Sequence, residues 1–123
     1  MNTITLPDPT TFPDQLARIK TNMQSLGQAA PTTMEAFANL HHAAAKAGAL
    51  DFKTKELIAL AIGVSLRCDG CIAFHTHDAL EAGATREEVL EALGVAVLMG
   101  GGPSVIYATH VVEALQQFEG GEG

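Results

Sequence analysis

Apolar residues recur at intervals of three and four along most of the chain. Phe12, Leu16, Ile19, Met23 and Leu26 form one such run, and Pro13 stands where a first helical turn accepts proline. A first helix is expected from about Pro13 to Gly27. Thr32 and Glu35 have capping-box spacing, which opens a second helix there. Met34, Phe37, Leu40, His41, Ala44 and Ala45 would form its inner stripe, and Gly48 would end it. Asp51 is placed to cap a third helix running to about Leu66. That helix is apolar nearly all round from Leu57, which predicts a central, buried element. A fourth helix is expected from the Cys68 region to Gly83. Thr85 and Glu88 repeat the capping-box spacing before a fifth, and the Gly100–Pro103 stretch GGGP separates it from a last helix ending near Phe118. No stretch alternates with the two-residue period of a strand. The expected fold is all-α, a compact bundle of about six helices in a single domain over 1–123. An extended arm over 1–11, a core over 50–118 and a frayed tail over 119–123 complete it.

Composition agrees with helices and adds an expectation about assembly. Hydrophobic residues make up 47 % of the 123 residues and aromatics only 5 %, an Ala- and Leu-rich balance that favours helix. Charged residues are 17 %, few for the large relative surface of a small domain. Part of the apolar surface is therefore expected to be covered by other copies of the chain. The net charge of −7 argues against nucleic acid and against anionic membranes as partners. The N-terminal MNTITLPDPTTFPD has neither a basic region nor an apolar core, so no signal peptide is expected. LIALAIGVSL is too short to span a bilayer. A cytoplasmic location follows as the expectation, and there two cysteines point to redox or metal chemistry rather than a structural staple.

The candidate chemistry lies in RCDGCIAFHTH, residues 67–77. At about 100° per residue, Cys71 falls about 60° to one side of Cys68 and His75 about 20°, so the three share one helix face while His77 points away. Cys71 and His75 are i, i+4 neighbours. Zinc would need four tetrahedral ligands; this face offers three, no second CxxC exists, and His110 would have to arrive from the last helix. A redox pair fits the spacing better. A CxxC at a helix start can close a disulfide across one turn, and the first-turn N–H groups favour a thiolate. Arg67 would add positive potential there or simply cap the preceding helix. His75 is placed to act as a base for Cys71.

Glu56 joins this feature if the third and fourth helices form an antiparallel pair turning near Arg67. It and His75 would then differ by about 4–5 Å along the axis, within reach of a glutamate side chain. Ala59 and Gly63 on the same face would permit close helix contact. The other reading of Glu56 is a first-turn carboxylate favoured by the helix dipole. His41 and His42 read as core or interface histidines, or as a pocket wall near the cysteines, and His77 as a surface or subunit-contact residue. Tyr107 and His110 lie one turn apart on the last helix, where Tyr107 packs or lines a pocket. GGGP is no phosphate loop, because no lysine follows at the required spacing.

Glu56, Cys68, Cys71 and His75, with their spacing, resemble the signature of the alkylhydroperoxidase D-like family within the carboxymuconolactone decarboxylase superfamily. The helical frame from KELIALAIGV to LMGGGP is similar as well, and the resemblance covers about residues 50–118. It implies an all-α fold whose subunits associate as trimers or hexamers. It also implies a thiol-dependent peroxidase or disulfide reductase without bound metal or cofactor; in the peroxidase, Cys71 attacks the peroxide, Cys68 resolves the intermediate, His75 moves the proton and Glu56 supports the relay. An external dithiol, a lipoyl protein or a thioredoxin-like one, would restore the pair. The best-studied type of the family has a histidine directly before the second cysteine; this chain has Gly70. That departure keeps open a disulfide reductase or electron carrier for a partner protein. A non-catalytic helical assembly or a metal binder is the remaining alternative. Lactone decarboxylation is disfavoured, because the superfamily's decarboxylases generally lack the CxxC.

Overall fold

The computed structural model describes residues 11–120. Six helices follow one another: α1 (Phe12–Ala29), α2 (Pro31–Ala45), α3 (Phe52–Ser65), α4 (Asp69–Glu81), α5 (Arg86–Gly100) and α6 (Gly102–Phe118). No strand occurs among the described residues, so the all-α bundle expected from periodicity is the fold that forms. The arm over 1–11 and the tail over 119–123 fall outside the described residues, apart from Thr11, Glu119 and Gly120. None of the described helices is long and apolar enough to cross a membrane.

Most starts and stops follow from local chemistry. Thr11 caps α1 by accepting from the Asp14 N–H, and Asp51 caps α3 by accepting from the Thr54 N–H. Thr85 and Glu88 form a complete capping box on α5. Gly101, at φ 66°, reverses the chain between α5 and α6, and a Cβ on Gly100 would collide with the Ser104 hydroxyl.

The second helix departs from expectation in three respects. Thr32 and Glu35 form no capping box: Ala30 is the N-cap and makes no side-chain bond. Pro31 occupies the first turn, its fixed φ suited to that place, so the helix starts early and Thr32 lies inside it. Its end comes at Ala45 rather than Gly48, where Lys55 Nζ donates to the carbonyls of Ala44 and Lys46. The expected inner stripe is not inner either. No residue of α2 is buried, and Phe37 and Leu40 are exposed. Helix α1 also continues two residues past Gly27, since one glycine costs a helix only about 1 kcal/mol.

The core is assembled by the other five helices. Leu60 and Val64 of α3 pack with Ile72, Ala73 and Ala79 of α4, Val89, Leu93 and Ala96 of α5, and Val111, Ala114 and Leu115 of α6, while Phe12 and Leu16 of α1 close one side. Helix α3 is central but buried on one face only. Ile58, Ile62 and Leu66, spaced by four, form an exposed apolar stripe along the other. Val95, Leu98 and Met99 on α5 and Val105 and Ile106 on α6 are exposed too. Apolar periodicity reports which faces avoid water, and it cannot say whether the cover comes from the same chain.

Lys53 on α3 donates to Glu88 Oε2 on α5 at 2.9 Å. The Lys53 ammonium, together with the Thr85 backbone N–H on Oε1, holds the Glu88 carboxyl below its ordinary value of 4.5. A depressed carboxyl stabilises the fold above its unfolded pKa and loses that contribution as pH falls through the folded one. Urea unfolding of the wild-type and Glu88→Gln chains should therefore differ most above the ordinary glutamate range and converge in acid. A difference that does not depend on pH would show that the charge of Glu88 is idle.

Candidate active site around the Cys68–Cys71 disulfide

A tight turn between α3 and α4 builds the site. The Arg67 N–H donates to the Val64 carbonyl at 3.0 Å and the Cys68 N–H to the Gly63 carbonyl at 3.1 Å. These are the two bonds of a Schellman helix end, whose left-handed position usually holds glycine. Here it holds Arg67, at φ 57° with its side chain exposed. A side chain in that backbone region costs about 1–2 kcal/mol. Arg67 thus lies where α3 ends and the chain turns, as expected, but its left-handed backbone leaves no periodic trace in the sequence.

The turn delivers Cys68 as the N-cap of α4. Its Sγ accepts the Cys71 N–H at 3.1 Å. The sulfur therefore sits at the positive end of the helix, where a thiolate is favoured once the bond is reduced. Cys68 and Cys71 are joined as a disulfide with their Cα atoms 5.2 Å apart. On the α3 side, Gly63 faces Cys71: a Cβ there would lie 2.9 Å from Cys71 Cβ. The close contact expected at Gly63 is thus made against Cys71 itself.

Glu56 and His75 are brought together as the antiparallel geometry predicts. Glu56 is only 2 % exposed, and its Oε2 lies 2.7 Å from His75 Nδ1. A buried carboxylate needs such a partner. The bond orients the imidazole and leaves Nε2 without a hydrogen-bond partner among the described residues. His75 follows Cys71 by one helical turn, so one helix carries imidazole and sulfur while its neighbour carries the carboxylate.

An open pocket of about 160 Å³ lies over this pair, lined by His41, Ala44 and Ala45 of α2, Lys55, Glu56 and Ala59 of α3, and His75. Ligand pockets usually start at about 300 Å³, so this one suits a molecule of a few heavy atoms. His41 is exposed, so it is not the core histidine of the first reading, and it lines this pocket, which neither cysteine joins. Glu56, His75 and Asp78 bring one possible metal-ligand atom each within 4.8 Å of one another. Neither cysteine is in that group, His75 Nδ1 is bonded to Glu56, and Asp78 Oδ1 is bonded to His77 Nδ1 at 2.9 Å. Within the group only Glu56 and His75 are bonded to each other; the partner of Asp78 lies outside it.

The remaining histidines go elsewhere. His77 also stacks edge-on against Phe118, with centroids 5.5 Å apart. His110 is not part of that Glu56–His75–Asp78 group. Its Nδ1 lies 2.6 Å from Oδ1 of Asp69, within the CxxC spacer, and its ring packs 4.8 Å from that of Tyr107. Asp69 was invisible as a site residue from sequence, because a helix-start aspartate is ordinary and its partner lies on α6.

Comparison with known proteins places this architecture. Residues 31–114 match the model of the carboxymuconolactone decarboxylase family. The match begins at α2, well before the residue 50 at which the motif-based resemblance starts. A carboxymuconolactone decarboxylase family protein of Legionella pneumophila, solved in its apo form, is 48 % identical with a TM-score of 0.85, over 87 % of this chain and 96 % of that one. A family protein of Thermotoga maritima, put forward for a part in the antioxidative response, is 36 % identical with a TM-score of 0.69, over 74 % of this chain and 94 % of that one. An uncharacterized protein of Cupriavidus necator is 43 % identical over 80 % of this chain and 87 % of its own length.

Two glycine-type positions flanking the disulfide should respond with opposite signs. Gly63→Ala should lower unfolding stability by about 1–3 kcal/mol, as overpacking does, because its Cβ meets Cys71. Arg67→Gly should raise it by up to about 1 kcal/mol, as left-handed strain is relieved. Chemical denaturation of the oxidised chains measures both, and a neutral Gly63→Ala would refute the close approach.

Proposed function

This chain belongs to the carboxymuconolactone decarboxylase family, and we propose that it is a thiol-dependent peroxidase of the alkylhydroperoxidase D-like kind. The observation that carries the reading is the 2.7 Å bond from buried Glu56 to His75, one turn beyond Cys71 in a CxxC at a helix start. That is a nucleophile, a base and an orienting carboxylate in series.

The cycle balances without a cofactor. His75 takes the Cys71 thiol proton, and the thiolate attacks one peroxide oxygen. The O–O bond breaks, and the departing alkoxide takes the proton back from His75 and leaves as an alcohol. Cys71 is now a sulfenic acid. The Cys68 thiolate, stabilised at the N-cap, attacks the Cys71 sulfur; the S–S bond forms and hydroxide leaves as water. An external dithiol then returns two electrons by exchange, becoming a disulfide itself. In the exchange, attack on Cys71 expels Cys68, whose N-cap position makes it the better leaving group. The small pocket reaches His75 on the side away from the sulfurs, since neither cysteine lines it, and a lipoyl or thioredoxin-like protein fits the role of reductant.

A disulfide reductase or electron carrier is the second reading, favoured by Gly70. A Cβ at Gly70 would lie 3.2 Å from Ile19 Cδ1, so α1 crowds the place where the best-studied relatives use a histidine. One experiment separates these readings and tests the residue roles. Reduced wild type, Cys68→Ser and Cys71→Ser chains are given one equivalent of peroxide, and sulfenic acid is trapped. Cys68→Ser should accumulate sulfenic acid and Cys71→Ser should not; the reverse pattern would exchange the two roles. Wild type that ignores peroxide but reduces a model disulfide would establish the second reading.

The exposed apolar stripe of α3 and the unburied face of α2 further support a homo-oligomer, a trimer or hexamer built on these faces. Light scattering on the purified chain should give a mass three or six times the 12.8 kDa of one subunit. A monomer at micromolar concentration would remove this part of the proposal.

A further inference from the structure

Two carboxylate–imidazole pairs flank the CxxC, and the cycle above uses only one. The second joins Asp69, between the cysteines, to His110 on α6 with an Nδ1–Oδ1 distance of 2.6 Å. Asp69 opens α4 directly after Cys68, in the same turn whose Cys71 N–H bonds the Cys68 sulfur. We propose that His110 is a positioning residue that sets the redox equilibrium of the Cys68–Cys71 pair by hydrogen-bonding the Asp69 carboxylate and turning it toward α6. The proposal rests on the thiol–disulfide reading of the site.

The physical argument is a competition for one helix end. A carboxylate at the first position of a helix is stabilised by the N-terminal dipole. A thiolate at the N-cap is stabilised by the same dipole and the same N–H groups. Adjacent anions repel, so a bare Asp69 would oppose the thiolate that appears when the disulfide is reduced. Donation from His110 draws charge out of the carboxylate and fixes it toward α6. The imidazole is itself held, by Tyr107 with ring centroids 4.8 Å away and by Phe12 at 6.4 Å. A surface aspartate that is 42 % exposed along its side chain needs no partner for its own solvation, so the pairing is not a demand of burial. The other charges around the turn are Arg67, next to Cys68, and the Glu56–His75 pair on the α3 side. Solvent screens a half-exposed carboxylate, so the effect is severalfold rather than orders of magnitude.

The test equilibrates each chain with glutathione buffers near about pH 8.5, the ordinary cysteine pKa, and counts free thiols by alkylation and mass. His110→Phe keeps the aromatic packing and loses the N–H. It should shift the equilibrium about threefold toward the disulfide, about 14 mV at about 30 mV per tenfold for two electrons. Asp69→Asn should shift it severalfold toward the dithiol. In the Asp69→Asn background, His110→Phe should add nothing. His110→Gln, which can still donate, should keep the wild-type constant and covers the case in which the Phe variant folds poorly. An unchanged constant in His110→Phe, or a His110 effect that survives in Asp69→Asn, overturns the proposal. A wild-type chain that does not interconvert at all would instead remove the thiol reading on which it rests.

Discussion

The hydrogen bond between Glu56 and His75 is the constraint around which the rest of the molecule is arranged. A carboxylate with 2 % exposure is unfavourable in an apolar bundle unless a partner meets it inside. That partner comes from the next helix, which obliges α3 and α4 to run antiparallel and level with each other. Level packing at that distance leaves no room for a side chain at Gly63, where a Cβ would press on Cys71. It also requires the connection to be short, and the Schellman turn through Arg67 supplies it by placing a bulky residue at φ 57°. Buried carboxylate, glycine contact and strained turn are one arrangement seen at three points.

The same turn joins structure to chemistry. The residue that ends the α3 hydrogen-bond ladder, Cys68, also starts the α4 ladder through its sulfur. Its N–H satisfies Gly63 and its Sγ satisfies Cys71. Reduction of the disulfide therefore places charge where unpaired helix N–H groups already point. On the far side of the same helix end, Asp69 and His110 tie the turn to α6. The cysteine pair is thus anchored to α3 by a carboxylate and an imidazole, and to α6 by a second such pair with the roles reversed: α4 contributes the histidine to one and the aspartate to the other.

Several features were legible before any coordinates. Pro13, Asp51 and the Thr85–Glu88 box act locally, so the starts of α1, α3 and α5 follow from residues a few positions apart. The Glu56–His75 pairing was one of two readings of Glu56: axial rise sets their level only if α3 and α4 are antiparallel neighbours, and a first-turn carboxylate fits the same position. The start of α2 differs from the capping-box spacing because Thr32 and Glu35 satisfy a rule that Pro31 pre-empts. Its face differs for another reason. Phe37 and Leu40 are spaced as inner residues, and none of the described helices covers them. The Asp69–His110 pair left no trace, since nothing in either helix's periodicity distinguishes an aspartate with a distant partner from one facing water.

What the chain's order of residues decided by itself is therefore the helical architecture and the grouping of Cys68, Cys71 and His75 on one helix, with Glu56 as a candidate for the same site. These depend on interactions within one helix, or between two helices joined by a few residues. Only the tertiary structure decided that Arg67 occupies a left-handed position, that His41 walls the pocket above Glu56, and that His110 reaches Asp69 across 41 residues. It also decided that one side of α3 and most of α2 remain uncovered by the described residues. The division has a physical cause. Helix formation and capping are short-range and are encoded in local patterns, whereas contacts between distant helices depend on how the whole set packs, which no single segment specifies.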